Sequence, residues 1–325
     1  MHPKLIACAA GLLATVAFGQ TAAIKTANIR VRDPFIYADA KTSTYFLYAQ
    51  AANRAGRKFQ GVEVYTSANL AEWTAPQPVL TLPNDLGASM VWAPEMHACN
   101  DAYYLFVTLT FNTKVSTEKP VTAKDWPPMF KRGTWIFRAD SPKGPFKPLK
   151  NTSHTPPEWM ALDGTLYVDN GTPYLVFCHE WVQVIDGEMA AVELKPDLSD
   201  TVGKPFHLFS ASIAPGAKTG PMEGKVTDGP FLYKSPKSNA LFMIWSTFIT
   251  GKGYCVVRAR SASGRITGPW QEHTPIYTKN GGHGMIFKTF DGRLLLSLHQ
   301  PNTEPQERLH VIDLLDDGAT LCVRP

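Results

Sequence analysis

Residues 33–37 (DPFIY) begin a pattern that returns four more times, as APEMH at 93–97, DGTLY at 163–167, GPFLY at 229–233 and HGMIF at 283–287. Each copy places Pro or Gly second and ends in an aromatic residue or His. Equivalent positions lie 60, 70, 66 and 54 residues apart. Self-similarity over such distances indicates a repeat architecture.

Each copy is followed by a turn and a second strand rich in apolar residues. The sequences DNG at 169–171 and DG at 291–292 predict hairpin turns between the first two strands of their units. Small antiparallel sheets of this size fit the blades of a β-propeller, whereas a β-sandwich would not repeat in this way. The sequence therefore predicts an all-β fold, a five-bladed β-propeller, with long loops at 110–125 and 200–225.

The composition agrees with short strands joined by many turns. Hydrophobic residues make up 44% of the chain, aromatic residues 11% and charged residues 18%, with 24 Gly and 26 Pro. This is too apolar for a disordered chain. The formal charge is only +4 and no long run of Lys or Arg occurs, so we expect neither nucleic acid nor a membrane surface as a partner.

Residues 1–19 have the composition of a secretory signal peptide. A weakly basic start precedes an apolar core over 5–18, and Ala17-Phe18-Gly19 provides a small-x-small cleavage site. We predict cleavage before Gln20, a secreted or periplasmic protein, and a single propeller catalytic domain over 20–325. A retained membrane anchor is the alternative, although the stretch is short for a membrane span.

The four cysteines after the predicted signal peptide show neither zinc-site spacing nor a disulfide framework. Cys178 and Cys255 lie in apolar segments and are predicted to be buried free thiols.

The first strand of every propeller blade lines the central channel, so the repeat brings one residue of each blade to a common ring. These ring positions are Asp33, Ala93, Asp163, Gly229 and His283. Asp228 stands beside the fourth position. Three carboxylates that converge on one pocket repel each other, which raises at least one pKa. An Asp beside Pro or Gly is also a common turn residue, but three at related positions indicate a functional site.

Carboxylates in an open channel are typical of glycoside hydrolysis. One group activates water, another protonates the leaving oxygen, and a third adjusts the pKa of the acid or orients the sugar. Trp92 precedes the second ring position and Trp181 follows a second strand. Both are predicted to stack on a sugar face, with core packing as the alternative.

Several short segments together resemble glycoside hydrolase family 43, over a stretch from about residue 28 to residue 315. The resemblance implies a five-bladed propeller that hydrolyses O-glycosyl bonds with inversion, mostly as an α-L-arabinofuranosidase, a β-xylosidase or an arabinanase. It implies Asp33 as the general base and Asp163 as the modulator of the acid's pKa. The segments are RDPF at 32–35, WAPE at 92–95, LDGT at 162–165, DGPF at 228–231, GHGM at 282–285 and the Gly-Pro-aromatic turns at 144–146 and 268–270.

The general acid is where this sequence departs from the family pattern. The family usually has Glu before the Gly-Pro of the fourth blade, and here that position is Asp228, which is one methylene shorter. We predict Asp228 as the acid, because its place in the repeat matches and a carboxylic acid is retained. Glu223 and Glu180 are alternatives, and loss of the acid is a further one.

The resemblance also places His283 in the central channel, where it hydrogen-bonds near the active centre or binds a calcium ion through water. Glu95 shares the apolar register of Phe35 and is predicted to contact substrate, with a structural role as the alternative. Residues 299–302 (HQPN) are predicted to shape the rim of the pocket. No cofactor is expected to be required, and a structural calcium ion in the channel is the one ion that the resemblance suggests.

We predict an inverting glycoside hydrolase that acts on arabinose- or xylose-containing plant polysaccharides or oligosaccharides. One alternative is a carbohydrate-binding propeller without catalysis, whose affinity would depend on Trp92 or Trp181 more than on Asp163. Another is a related five-bladed hydrolase that acts on galactose- or fructose-type glycosides. Whether cleavage is exo or endo depends on how the two long loops shape the channel.

Overall fold

The computed structural model describes residues 23–51, 60–115, 125–218 and 223–324. The predicted signal peptide lies outside these residues, as do parts of both predicted loops. Among the described residues, no helix is long and apolar enough to cross a membrane. Cys178 and Cys255 are buried free thiols, as predicted.

Nearly all of the regular structure is β-strand, and the one α-helix of the described ranges is the single turn α1 (Trp181–Val184). The strands, in chain order, are β1 (Ile24–Lys25), β2 (Phe35–Asp39), β3 (Thr44–Gln50), β4 (Gly61–Ser67), β5 (Glu72–Trp73), β6 (Gln77–Thr81), β7 (Ala88–Cys99), β8 (Ala102–Lys114), β9 (Phe130–Ala139), β10 (Lys147–Pro148), β11 (Ala161–Asp169), β12 (Thr172–His179), β13 (Glu188–Leu194), β14 (Thr201–Ser210), β15 (Asp228–Lys234), β16 (Leu241–Ile249), β17 (Gly253–Ser261), β18 (Trp270–Tyr277), β19 (Gly282–Lys288), β20 (Leu294–Gln300), β21 (Arg308–Asp316) and β22 (Leu321–Val323).

These strands form five successive four-stranded antiparallel sheets, which are the five blades of a propeller. Blade 1 is β2-β3-β4-β6, and blades 2 to 5 are β7–β10, β11–β14, β15–β18 and β19–β22. The first strands of successive blades contact each other around the ring, and β19 contacts β2 to close it. The predicted five-bladed propeller is confirmed.

Apolar side chains fill the spaces between neighbouring blades. Phe35 and Leu47 of blade 1 share a cluster with Leu105 of blade 2 and Met285 of blade 5, while Trp245 of blade 4 is fully buried in a second cluster with residues of blade 3. Burying a large apolar side chain contributes roughly 1.5–3 kcal/mol. This packing holds the first strands of all blades in fixed positions around the channel.

The five ring residues share one unusual backbone conformation. The φ angle is 50° at Asp33, 44° at Ala93, 57° at Asp163, 51° at Gly229 and 50° at His283. In blades 2 to 5 this residue also falls within a shift of the strand register. The left-handed region costs an L-residue roughly 1–2 kcal/mol, and such residues cluster at functional sites. The repeat found in the sequence is therefore also a repeat of backbone geometry.

The predicted turns are present, and one predicted loop is wrong in part. Asn170 and Gly171 have positive φ angles and join β11 to β12 as a two-residue hairpin. The first part of the loop predicted over 200–225 is instead β14, the outer strand of blade 3, which pairs with β13. The loop predicted over 110–125 begins later as well, because β8 continues to Lys114.

Candidate active site

Asp33 and Asp163 face the same histidine in the ring. The Nδ1 atom of His283 lies 3.1 Å from Oδ1 of Asp33 and 3.7 Å from Oδ2 of Asp163. Burial disfavours a charged imidazole, but the charges of Asp33, Asp163 and Asp228 outweigh it and raise the pKa of His283. The structure therefore brings the predicted ring residues together around an ion pair between His283 and Asp33.

Asp33 is held as a carboxylate. Burial opposes its ionisation, but the charge of His283, the hydrogen bond and charge of His299 and the charge of Arg32 hold its pKa well below the usual range. Its backbone N–H donates to Nδ1 of His299 over 3.2 Å. The Nε2 atom of the same ring lies 3.1 Å from Oδ1 of Asn302. An ionised carboxylate can accept a proton from water.

Asp163 holds its proton more tightly than an ordinary carboxyl. Burial raises its pKa to about 8, with contributions from the charges of Asp228 and Asp33 and against the effect of His283. The backbone N–H of Gly229 donates to its Oδ2 over 3.1 Å. A raised pKa suits a group that adjusts the charge of its neighbours.

Three ring amides donate to side chains of the preceding blade. The N–H of Asp163 donates to Oγ1 of Thr108 over 2.8 Å, the N–H of His283 donates to Oγ of Ser246 over 2.8 Å, and Asp33 donates to His299 as described. These acceptors occupy equivalent positions in their own blades. Each lies on the second strand and pairs with the first-strand residue that precedes the ring residue of that blade. The acceptors fix the direction in which each ring residue leaves the strand.

Blade 3 lacks such an acceptor. Its equivalent residue is Cys178, which pairs with Leu162, and a thiol is only a weak hydrogen-bond acceptor. The amide of Gly229 in the next blade donates instead to the carboxylate of Asp163. The predicted pKa modulator therefore also serves as the acceptor that blades 2, 4 and 5 provide from their second strands.

Asp228 lies in the channel, where the sequence places it. Its Oδ2 accepts a hydrogen bond of 2.9 Å from the hydroxyl of Tyr254, which is 2% exposed. Burial raises the pKa of Asp228, and the charge of Asp33 adds to this, while His283 and the bond from Tyr254 act in the opposite direction. The assignment of Asp228 as the acid stays a prediction.

Glu180 also belongs to this group of carboxyls. It follows β12, and its Oε2 lies 2.5 Å from Nη1 of Arg132, whose guanidinium carbon is 4.5 Å from the centre of the Trp92 ring. Burial raises the pKa of Glu180 to about 7 despite Arg132, and the charge of Asp228 contributes to the rise. The alternative acid of the sequence analysis is therefore a buried carboxyl whose charge interacts with that of Asp228.

The other predicted site residues have varied surroundings. Glu223 is exposed. Glu95 is 5% exposed and lies 3.1 Å from Nε2 of His97. Trp181 packs edge-on against Trp126, with ring centroids 5.2 Å apart, and any Cβ at Gly224 would overlap its ring. The substrate contacts of Glu95, Trp92 and Trp181 stay predictions.

A cleft of about 710 Å³ opens beside Trp92. Its lining includes Gln50, Gln60 and Met90, which is 47% exposed. Aromatic faces next to amide groups are the surfaces on which sugars bind, since the ring covers the C–H face and the amides bond the hydroxyls.

The side chains around His283 offer few of the oxygen ligands that calcium prefers. The described residues contain no group of three or more His, Cys, Asp or Glu side chains arranged to hold a metal ion. The Nδ1 atom of His283 faces Asp33 and Asp163, whereas calcium takes six to eight oxygen ligands. Binding through water stays a prediction.

Sequence reasoning missed several residues of this centre, notably Arg132, Tyr254, Thr108 and Ser246. The acceptors Thr108 and Ser246 had a signal, since both stand at one repeat position of the second strand. No sequence signal pointed to Arg132 or Tyr254. Each side chain contacts a carboxyl outside its own strand, and the repeat does not specify such contacts.

The family model described as Glycosyl hydrolases family 43 matches residues 26–316. Two curated relatives are 24% identical to the chain. The Aspergillus oryzae protein named "Probable arabinan endo-1,5-alpha-L-arabinosidase A" aligns over 80% of this chain and 74% of its own length. The Humicola insolens "Alpha-L-arabinofuranosidase 43" aligns over 72% and 50%.

A solved structure gives a higher identity. The endo-arabinase from Bacteroides thetaiotaomicron VPI-5482 is 39% identical, with a TM-score of 0.77, and the alignment covers 91% of this chain and 98% of that one. A thermostable family-43 glycoside hydrolase, at 22% identity and a TM-score of 0.67, shares the fold.

Proposed function

The chain belongs to glycosyl hydrolase family 43 and is a glycoside hydrolase, and on that premise we propose that it cleaves arabinose- or xylose-containing polysaccharides or oligosaccharides with inversion. Arabinan and arabino-oligosaccharides are the first choice, because relatives at 24% and 39% identity carry arabinanase names. The observation that carries the proposal is the convergence of Asp33 and Asp163 on Nδ1 of His283, at 3.1 Å and 3.7 Å.

In this proposal Asp33 takes a proton from the attacking water. A second carboxyl on the opposite side of the sugar protonates the leaving oxygen, and an inverting pair needs about 6.5–9.5 Å between the two groups to admit the water. Asp163 influences the pKa values of the base and the acid. Its carboxyl lies beside His283 and accepts a hydrogen bond from the amide of Gly229. Asp228 and Glu180 are the two candidates for the acid, and both have a raised pKa.

The cleft beside Trp92 supports a substrate of several sugars. It is large enough for more than one residue of a chain, and Gln50, Gln60 and Trp92 are among its lining residues. A sugar stacked on Trp92 would use the ring face that Arg132 leaves free.

Substrate screening tests this proposal. Linear arabinan, arabino-oligosaccharides, xylo-oligosaccharides and aryl glycosides of both sugars are incubated with the native enzyme and with Asp33→Asn, and the released sugars are separated by chromatography. We expect release from at least one arabinose- or xylose-containing substrate and none by the variant. Binding without turnover, or turnover of galactose- or fructose-type glycosides alone, would contradict the proposal.

We also propose export, on the composition of residues 1–19. Amino-terminal sequencing of the protein recovered from periplasm or medium should begin at Gln20. A chain that keeps Met1 and stays with the cytoplasmic fraction would contradict export and leave the enzymatic proposal untouched.

A further inference from the structure

Glu180 is a partly exposed carboxyl that its surroundings hold in a fixed position. It follows the end of β12, and its backbone N–H donates to the carbonyl of Met160 over 2.8 Å, which anchors the residue. Its side chain is 12% exposed, so part of it reaches solvent. Arg132 is 7% exposed and fixes one of the carboxyl oxygens at 2.5 Å. The contact with Arg132 uses Oε2, so Oε1 lies outside this pair.

Arg132 is itself held on two sides. Its guanidinium lies over Trp92 at 4.5 Å from the ring centre, and it bonds Glu180 through Nη1. An arginine stacked on an aromatic ring and paired with a carboxylate keeps both its plane and its position. Arg132 thereby connects the predicted sugar-stacking residue to the carboxyl of the neighbouring blade.

Asp228 is less free to act as donor. Its carboxyl accepts a hydrogen bond of 2.9 Å from the hydroxyl of Tyr254. The amide of the next residue, Gly229, donates a hydrogen bond to Asp163. The side chain is also one methylene shorter than the Glu that usually stands there in the family. Both constraints draw this carboxyl back toward the other acidic groups of the ring.

We propose that Glu180, positioned by Arg132, is the general acid of the reaction, and that Asp228 is not the proton donor. This proposal rests on the proposed glycosidase function. The longer Glu side chain in blade 3 takes over the task that the shortened side chain in blade 4 has given up.

The proton balance of the step is complete. Water loses a proton to Asp33 as its oxygen bonds the anomeric carbon. The bond from that carbon to the glycosidic oxygen breaks, its electron pair stays with the oxygen, and the oxygen takes the proton of Glu180. Arg132 stabilises the glutamate that results. The exposed edge of Glu180 then regains a proton from solvent, while Asp33 returns its own.

The charges around Glu180 suit this cycle. Arg132 of β9 and Asp228 of β15 are the charged groups that face it, and they act in opposite directions. Burial and Asp228 favour the protonated form before reaction, and Arg132 favours the ionised form after it. The resulting pKa of about 7 lies near a working pH, where a general acid is most effective.

The test compares Glu180→Gln with Asp228→Asn on two classes of substrate. An arabino-oligosaccharide has a poor leaving group that needs protonation, whereas a dinitrophenyl glycoside leaves without it. We expect Glu180→Gln to lose on the order of 10²–10⁴-fold in kcat on the oligosaccharide and far less on the aryl glycoside. It should also lose the alkaline limb of the pH profile. Asp228→Asn should lose activity by similar factors on both substrates.

Glu188→Gln is the matched control, since Glu188 is a carboxyl of the same blade that lies 3.2 Å from Nδ1 of His179. It should behave as the native enzyme. Circular dichroism and thermal melting confirm that each variant is folded, and Glu180→Asp provides a second change that keeps the carboxyl. That variant should retain the alkaline limb with a reduced kcat.

Arg132 is tested as a positioning residue through the pH profile. Replacing it by Met removes the charge that lowers the pKa of Glu180, so the alkaline limb should move to higher pH while kcat falls. Arg132→Lys keeps the charge and should leave the limb in place. A purely structural role would lower stability and activity without moving the limb.

The assignment would be overturned if Asp228→Asn lost kcat on the oligosaccharide and far less on the aryl glycoside, while Glu180→Gln showed no such difference. Asp228 would then be the acid. A native enzyme that releases no sugar from any substrate would instead overturn the proposed function. The two failures are therefore distinct.

Discussion

The junction between blades 3 and 4 differs from the junctions of blades 2 and 3, blades 4 and 5, and blades 5 and 1. At three others, the ring amide of one blade donates to an acceptor on the second strand of the blade before it, namely Thr108, Ser246 or His299. At the junction of blades 3 and 4 the acceptor is the carboxylate of Asp163. The acceptor at this junction, Asp163, is also one of the candidate catalytic residues.

This difference has a simple physical origin. A buried N–H needs an acceptor, because an unsatisfied one costs about 1–3 kcal/mol. Cys178 cannot supply a strong one, so Gly229 draws Asp163 to a fixed position. The bond favours the ionised form of Asp163, against the burial and the neighbouring carboxylates that raise its pKa. The acceptor is separate from the candidate chemistry at the junctions of Thr108 and Ser246, and it belongs to that chemistry at the junction of blades 3 and 4.

Asp33→Asn isolates chemistry at a junction where the amide has its own acceptor. The bond from the Asp33 amide to His299 does not involve the Asp33 side chain, so folding should be largely retained while the base is lost. We expect kcat to fall on the order of 10³-fold on arabino-oligosaccharide, measured by sugar release. A variant with more than a tenth of native activity would remove Asp33 from the reaction.

Asp163→Asn should affect both activity and the pH dependence of stability. We expect kcat to fall on the order of 10²-fold. The folded-state pKa of about 8 exceeds the ordinary value of 3.8, so protonation of Asp163 stabilises the fold most at low pH, and this contribution is lost as pH rises toward 8.

Urea unfolding at several pH values measures that contribution. Relative to Asp163→Asn, the native enzyme should lose stability between pH 4 and pH 8. A constant difference between the two proteins over this range would contradict the raised pKa.

Ser246→Ala removes an acceptor at a junction where structure and chemistry are separate. The amide of His283 would be left without its 2.8 Å bond in a fully buried setting. We expect the free energy of unfolding to fall by about 1–3 kcal/mol, with a smaller effect on kcat than either Asp variant. Chemical denaturation measures the first and oligosaccharide hydrolysis the second. An unchanged stability would show that the second-strand acceptors are dispensable.

Cys178→Ser makes blade 3 resemble the other blades. A serine hydroxyl could compete with Asp163 for the Gly229 amide, at a net value of about 1 kcal/mol for one hydrogen bond. We expect a modest loss in kcat, about fivefold, and little change in stability. Cys255→Ser, a change at a buried thiol of blade 4, is the control. Equal effects of both changes would mean that the result reflects thiol packing alone.

The fold could be predicted because each blade begins with the same short local pattern. Pro or Gly after the ring residue, followed by apolar alternation, marked every first strand, and the structure adds the shared positive φ at Asp33 and Asp163. The outer strand β14 was missed because its sequence, TVGKPFHLFS, contains Gly and Pro. Edge strands tolerate these residues since one side of an edge strand makes no ladder hydrogen bonds.

The site was predictable only where the repeat specified it. Asp33, Asp163 and His283 occupy one repeat position, and the structure brings them together. The pairs Arg132–Glu180 and Tyr254–Asp228 depend on how far side chains reach between strands. No periodicity encodes that reach, so the sequence left the acid open among three carboxyls.

The stereochemistry of the first product tests the central claim most directly. Proton NMR during the first minutes of hydrolysis of an α-linked arabino-oligosaccharide resolves the anomer released before mutarotation. A water activated by Asp33 on the face opposite the acid should give the β-anomer first. Initial release of the α-anomer would contradict the account, because it would require a covalent intermediate that an ionised Asp33 acting as base does not form.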